Sequence, residues 1–447
     1  MKDNLSRRGF IKKSSLATAG VTIAGMGVSA KSYARIIGAN DRMQVAIAGL
    51  GRRYSAFINA IAKNQSNVEL LYLCDVMDRK LQNADAKCRE KLGYKSKLEK
   101  DVRKVLENKK LDAIIIATPD HWHTPGSIMA MQAGKHVYVE KPCSHNMEEN
   151  ELLVAAQRKY AKVVQMGNQQ RSSNHTRVII PKIHDGIIGE TYKAVAFYSN
   201  KRKEVVVPYK APVPEGLDWE LFQGPSPRKE YMHDTWNYNW HWYGWDFGTA
   251  ELGNNATHEL DVARWALDVD YPEQVFVEAD KRHFKDDGWE MYDTMDATFM
   301  FENRKVIKWD GKSRNAFKTY GDGRGTIIYG TEGTVWIDRG KYILYDRAGK
   351  MIEEVKSKSI ESGTALGGGG DTSTNHVNNF FEAIRGNANL NSPITDATIS
   401  QAMVHYGNIA YRIGKGFEID PDNGHILDRK AMKLWGRDYE PGWEPKI

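Results

Sequence analysis

The stretch from Val45 to Ile61, VAIAGLGRRYSAFINAI, constrains the fold more than any other part of the chain. An apolar run ends in Gly49-Leu50-Gly51 and passes directly into an amphipathic segment. A strand, a tight glycine turn and a helix in that order form a dinucleotide cradle. The first glycine permits the turn, and the second lets the backbone approach a pyrophosphate at the helix N-terminus. The fingerprint G-x-G-x-x-G expects a third glycine where this chain carries Tyr54. That glycine mainly serves close helix-to-strand packing, so tyrosine is compatible if the helix is displaced or the ring points outward.

The residues beyond Tyr54 decide whether the two glycines matter. Apolar runs recur at Val68 to Asp75, Leu111 to Thr118, Lys135 to Pro142 and Ala161 to Gly167. Helix-length segments separate them at Met77 to Leu92, Pro125 to Ala133 and Met147 to Tyr160. Continuous apolar strands alternating with helices predict an α/β fold whose parallel sheet is doubly wound. Asp75 ends the second run about 24 residues beyond Gly51, where an acidic side chain meets a ribose 2′-hydroxyl. A carboxylate there repels a 2′-phosphate, so NAD is favoured over NADP. Arg52 and Arg53 argue partly the other way.

Two motifs downstream sharpen this reading. ATPDHWHTP (Ala117 to Pro125) follows one strand and VEKP (Val139 to Pro142) ends the next. With the AGLG turn they resemble the Gfo/Idh/MocA oxidoreductase family, from about Arg42 through the C-terminal helices. The resemblance implies NAD in a Rossmann domain and substrate against a large, open-faced, mainly antiparallel C-terminal sheet. It also implies that Thr118, Pro119, His123 and Glu140 line the cofactor, and that Lys141 sits near the nicotinamide and the reacting hydroxyl. Burial and a nearby positive ring would bring a lysine there towards proton-transfer range. The plain alternative is a solvated loop lysine.

Beyond Thr191 polar and apolar residues interchange, as expected of an antiparallel sheet with one face open. Between Trp236 and Trp245 lie six aromatic residues, with His241 and Asp246 at hand. Their spacing fits neither helix nor strand, and aromatic faces beside polar groups suit sugar rings. Trp236, Tyr238, His241 and Trp242 are therefore substrate candidates, an aromatic interface being the alternative reading. In the family, a glycine-rich turn leads into a helix bearing Asp, then His, then Asp. Here GNNATHELD keeps His258 and Asp261 but places Asn254 in the first position, and Asn254 and Asp261 join the substrate candidates. Asn254 and His258 would share a helix face. His258 is expected as general base, Asn254 can only orient a hydroxyl, and a structural role is the alternative for His258. Arg171, with Gln169, Gln170 and His175, follows the last nucleotide-domain strand and is a further substrate candidate.

The domains expected are a signal segment over 1–34, a Rossmann domain over 35–167 and an α+β substrate and oligomerisation domain over 168–447. The family resemblance further implies that the helix over 395–416 packs back on the Rossmann domain. Ala365 to His376 reads as a glycine-rich lid or connector. Ser6-Arg7-Arg8-Gly9-Phe10-Ile11-Lys12 resembles a twin-arginine export signal, with cleavage after Ala30 or Ala34. The apolar run behind it is short and glycine-rich for a spanning helix. The expectation is a soluble, periplasmic or otherwise exported protein that keeps no membrane anchor after cleavage. Lys2, Arg7, Arg8, Lys12, Lys13 and Lys31 against Asp3 carry +5 of the formal +6 charge, so nothing in the remainder suggests nucleic acid. Three cysteines without metal-type spacing indicate neither a disulfide framework nor a metal site.

Free NAD(H) is scarce outside the cytoplasm, so the cofactor is expected to be tightly bound. The function expected is oxidation of a secondary hydroxyl of a sugar or glycoside to a keto-sugar. A redox-neutral glycosidase or lyase using transient oxidation is one alternative, and a non-catalytic sugar-binding protein is the other. A homo-oligomer joined through the open sheet face is the expected assembly.

Overall fold

The computed structural model describes residues 41–63, 67–302, 304–357 and 370–447. The export-signal expectation over 1–34 lies outside them. The parallel strands β1 (Met43–Ala48), β2 (Val68–Cys74), β3 (Lys97–Glu99), β4 (Ala113–Ile116), β5 (His136–Glu140) and β6 (Val164–Gly167) form one sheet in the order 3-2-1-4-5-6. Helices α1 (Tyr54–Ala62), α2 (Asp78–Leu92), α3 (Val102–Leu106), α4 (His123–Gln132) and α5 (Met147–Tyr160) make the crossovers. This is a doubly wound nucleotide fold, with the strand order reversing between β1 and β4. Strand β3 carries no signal in the sequence. It is a three-residue edge strand, Lys-Leu-Glu, too short and too charged to register as an apolar run.

Tyr54 opens α1 half-buried, and the helix turns Phe57, Ile58 and Ile61 inward instead. These pack with Val45 and Ile47 of β1 and, unexpectedly, with Phe380 and Phe381 of α9 (Gly370–Ile384). The full burial of each phenylalanine contributes about 1.5–3 kcal/mol. Helix α9 begins six residues before His376, so the second half of the stretch expected as a loop is helical, while Ala365 to Gly369 lie outside the described residues. Helix α10 (Ile394–Ile413) packs against α5. The nucleotide layer is therefore completed by the end of the chain.

The second sheet holds nine strands. They are β7 (Thr191–Ser199), β8 (Gln274–Asp280), β9 (Thr294–Met300), β10 (Val306–Lys312), β11 (Arg324–Gly330), β12 (Gly333–Ile337), β13 (Lys341–Asp346), β14 (Met351–Lys356) and β15 (Phe417–Glu418), in the order 14-13-12-11-7-10-9-8-15. All neighbours are antiparallel except β7 and β10, which run parallel, so the sheet is mixed. Buried and exposed residues alternate along β9 and β10, leaving one face open. The helices that follow the nucleotide sheet are α6 (Asn174–His184), α7 (Trp219–Gln223) and α8 (Thr257–Leu267), and α8 rests on β7 and β11 of the covered face. No described helix is long and apolar enough to cross a membrane.

Candidate active site

A cavity of about 990 Å³ opens beyond the carboxyl ends of β1, β2, β4 and β5 and extends to the face of the second sheet. In open α/β sheets this is where the crossovers part and leave room for a ligand. Gly49 turns the chain there with φ +90°, and a Cβ on it would lie 2.3 Å from the Ala117 oxygen. Gly51 is different: a Cβ on it would meet nothing within 4 Å, so it faces the open cavity at the start of α1. Gly49→Ala should therefore destabilise the protein, by about 1–3 kcal/mol from backbone strain alone. Gly51→Ala should leave the melting temperature near wild type and weaken dinucleotide retention, which thermal melts and the dinucleotide content of each purified variant will separate.

Asp75 borders the same cavity at the end of β2. One carboxylate oxygen accepts the Leu50 N–H at 2.7 Å and the other the Met77 N–H at 3.0 Å. Two backbone donors fix the carboxylate and leave lone pairs for ribose hydroxyls. Thr118 and Pro119 line the cavity after β4, and the Thr118 hydroxyl is buried with no partner among the described residues. Such a group calls for a ligand partner. His123 also borders the cavity, but its two ring nitrogens face the Pro142 oxygen at 2.5 Å and the Thr118 oxygen at 2.9 Å. It staples two strand-end turns together, with no nitrogen left over for a cofactor. Arg53 donates to Glu140 at 3.0 Å, and Gln169 donates to the same oxygen at 2.9 Å. Together these features fit a dinucleotide.

Lys141 lies between the halves. Its Nζ donates to the backbone oxygens of Asn254, in a short bond, and Gly253, at 3.5 Å. Burial lowers its pKa to about 8, against the opposing pull of Asp120 and Glu140. Asp120 is a cavity residue that sequence reasoning missed. It accepts the Thr249 N–H and hydroxyl, and burial raises its pKa.

Opposite Lys141, Leu252–Ala256 form a π-helical turn that leads into α8. The turn and α8 bring both Asn254 and His258 to the cavity. The Nδ1 of His258 is 2.9 Å from the Asn168 side-chain oxygen, so Nδ1 carries the proton and Nε2 keeps its lone pair. Burial, then Arg339, Lys141, Arg324 and Arg53, hold His258 well below the ordinary imidazole pKa. Tyr238 also lines the cavity, and the Arg52 guanidinium stands 3.6 Å over its ring. Trp236 and His241 join it, the His241 ring stacking on Trp240 with centroids 3.6 Å apart.

Three of the substrate candidates lie elsewhere. Trp242 is buried in the core, stacked 3.8 Å from Trp289, because it lies just past the turn Tyr238–His241, whose Tyr238, Trp240 and His241 line the cavity. Arg171 and Asp261 do not line the cavity. They form a fully buried two-pronged ion pair at 2.7 and 2.8 Å, with Asp396 as a second carboxylate for Arg171. Gln170 and His175 also lie off the cavity, whereas Gln169 borders it. Arg202, Arg324 and Arg339 line the cavity and were not singled out from the sequence, where arginines in ordinary sheet and loop context carry no signal.

Residues 43–168 match the Gfo/Idh/MocA description "oxidoreductase family, NAD-binding Rossmann fold", and residues 197–336 match that family's C-terminal alpha/beta domain. A glycosyl hydrolase family 109 protein of Shewanella baltica is 26% identical over 275 residues, which cover 58% of this chain and 54% of that protein. An alpha-N-acetylgalactosaminidase of Shewanella oneidensis is 24% identical over the same length and coverage. The chain thus spans about half the length of the curated relatives it matches. Among solved structures, the WlbA dehydrogenase of Bordetella pertussis, crystallised with NADH and UDP-GlcNAcA, aligns with a TM-score of 0.61 at 20% identity, over 85% of this chain and 99% of that one.

Proposed function

Since the chain belongs to the Gfo/Idh/MocA oxidoreductase family, we propose that it is an exported enzyme that oxidises a secondary hydroxyl of a sugar or glycoside with a tightly bound NAD. The observation that carries this reading is that Lys141 and His258, from the two halves of the chain, line one cavity. When bound, the dinucleotide supplies the hydride acceptor. Gly51 and the start of α1 would hold its pyrophosphate, Asp75 a ribose, and Thr118 an amide or hydroxyl.

The proton belongs to Lys141 rather than to His258. A base works best with a pKa near the working pH. Lys141 meets that condition at about 8. His258 is held too far down to compete. With two N–H groups donated to Gly253 and Asn254, a neutral Lys141 amine keeps its lone pair for the substrate hydroxyl. His258 Nε2 and the Asn254 amide would orient that hydroxyl, and Tyr238 and Trp236 would hold the ring.

These roles set the sign of the pH effect. Lys141 must be neutral to take the proton, so the oxidation rate should rise with pH through an inflection near 8. It should show no limb near the ordinary imidazole value, because His258 stays neutral there. The reverse reaction, which needs the ammonium, should fall over the same range. Single-turnover rates across the acid, neutral and alkaline ranges, in both directions, check this.

A second reading is favoured by the glycosyl hydrolase names of the curated relatives. A ketone made beside a C–H bond acidifies that hydrogen, and the glycosidic oxygen on the next carbon leaves by elimination. Water addition and return of the hydride then give a free sugar with no net oxidation. Denaturing the purified protein and quantifying released dinucleotide, then assaying glycosides for keto-sugar and free sugar, tests both readings. Near-stoichiometric NAD(H) with accumulating keto-sugar supports oxidation. Cleaved glycoside without keto-sugar supports the hydrolase. Absence of dinucleotide binding even on addition of NAD overturns both. Assembly through the open face of the nine-stranded sheet, where Phe276 is exposed, belongs to the same proposal.

A further inference from the structure

Residues 216–247 belong to the second half by chain position, yet they are tied to the nucleotide half at both strand ends that flank Asp75 and at the glycine turn. Beside the end of β2, the Asp78 N–H donates to the Gly216 oxygen at 3.1 Å and the Asp218 N–H to the Val76 oxygen at 2.9 Å. These two bonds enclose an antiparallel bridge between Met77 and Leu217. Lys100 Nζ also donates to the Gly216 oxygen, at 3.0 Å. In the turn after β4, the Phe222 oxygen accepts His121 Nε2 at 2.9 Å and Trp122 Nε1 at 3.0 Å, and the His121 N–H donates to the Phe247 oxygen at 3.2 Å. At the glycine turn, Arg52 covers the Tyr238 ring. Leu217, Trp219, Phe222 and Phe247 belong to a cluster separate from the large cores, and Met77 is its one buried member from the nucleotide half among the described residues. A segment with its own small core can detach as a unit while the main cores stay intact.

The segment also forms part of the cavity wall. An acidic residue that ends the second strand of this fold meets the adenosine ribose, so the adenine lies just past Asp75. There the cavity is lined by Val76 and Val102 from the nucleotide half and by Leu221 and Phe222 of α7. Apolar side chains from two sides make a slot suited to a flat purine. Resting on the reading that the chain binds NAD, we propose that residues 216–247 are a strap that supplies one wall of the adenine site and controls release of the cofactor. NAD leaves when the strap lifts from the ends of β2 and β4, while Lys141 and His258 lie outside the strap.

Two changes away from the cavity wall move the strap in opposite directions. Met77 and Leu217 form a non-hydrogen-bonded antiparallel pair, for which the Cα atoms are about 4.5 Å apart, within disulfide reach. Met77→Cys with Leu217→Cys therefore cross-links the strap to the nucleotide half on oxidation. Gly224 ends α7 with φ +45°, and a Cβ there would lie 2.1 Å from the Trp122 ring, so Gly224→Ala wedges the strap away. The full chain is loaded with NAD labelled in the adenine and diluted into unlabelled NAD, and the label retained is followed over time. The oxidised pair, verified by peptide mapping, should release label about tenfold slower than the same protein reduced, the size of one or two hydrogen bonds that no longer break. Gly224→Ala should release it about tenfold faster than wild type, from backbone strain alone. Leu221→Asn, on the wall itself, should make AMP a several-fold weaker competitor of NAD during loading.

Equal release from the oxidised and reduced pair overturns the inference, and so does wild-type release from folded Gly224→Ala. Where that variant fails to fold, the cross-link decides alone. Unchanged competition by AMP in Leu221→Asn removes the strap from the adenine site. The outcomes separate this inference from the reading it rests on. Slow release that ignores both changes defeats the strap alone, fast wild-type release that the cross-link slows defeats tight retention alone, and failure to bind added NAD overturns both.

Discussion

Lys141→Met should lower the rate of substrate oxidation by about 10²–10⁴-fold, the loss typical of removing a positioned proton acceptor. Methionine keeps the length and apolar stem of lysine and removes only the amine. The amine is buried, and its two carbonyl partners sit on the π-helical turn, so the Gly253 and Asn254 oxygens lose a donor in the variant. Some loss of stability should accompany the loss of rate, about 1–3 kcal/mol for unsatisfied buried acceptors. The two effects are separable because rate is measured on folded, dinucleotide-loaded protein in a single turnover. The pH profile discriminates further. The residual rate of the variant should be flat across the inflection near 8 that Lys141 gives the wild type. A variant that keeps the full rate, or keeps the inflection, would remove Lys141 from proton transfer. His258→Gln should weaken substrate binding and rate together without moving the inflection, as befits a group that orients the hydroxyl.

Arg171→Met should act on stability instead, costing about 3–5 kcal/mol, because it leaves the Asp261 carboxylate buried opposite an apolar side chain. Asp261 has no exposed surface, and Ser400 is its remaining hydrogen-bond donor among the described residues. The Arg171 guanidinium, with Arg264 beyond it, holds the Asp261 carboxyl below the usual carboxylate range. Replacing the pair together, Arg171→Met with Asp261→Leu, should recover much of the loss, since a matched apolar pair is no longer charged. Denaturant titration of the two single variants and the double variant measures this. Oxidation per folded molecule should stay near wild type throughout. A large fall in turnover by the fully folded double variant would return Arg171 to the substrate site.

Much of the nucleotide half is legible because its signals are local. The strand ending at Gly49 and the helix beginning at Tyr54 are written in consecutive residues, and Gly49 is demanded by a φ that other side chains rarely adopt. Helix α5 runs over the span its sequence pattern predicts, from Met147 at its first turn to Tyr160 at its last. Strand β3 is not legible, since three residues with two charges form a strand only by lying beside β2. Nor does any local signal say that α9 completes the nucleotide layer, and for α10 the expectation came from the family resemblance alone, because an apolar helix face does not specify which surface covers it. The aromatic run divides for the same reason: Tyr238 and Trp242 look alike in the chain, and only the 3₁₀ turn between them sends one to the cavity and the other to the core.

The α/β class, the glycine turn and the positions of Asp75, Lys141 and His258 at the ends of their elements are all present in the chain before it folds. Periodicity and backbone geometry are properties of a few adjacent residues. That Arg171 closes on Asp261, 90 residues away, while Arg324 is held by Glu259 at the edge of the cavity, emerges only when the two halves pack. A charged side chain becomes a strut or a ligand-binding group according to which distant carboxylate packing brings to it, and how much water that packing removes.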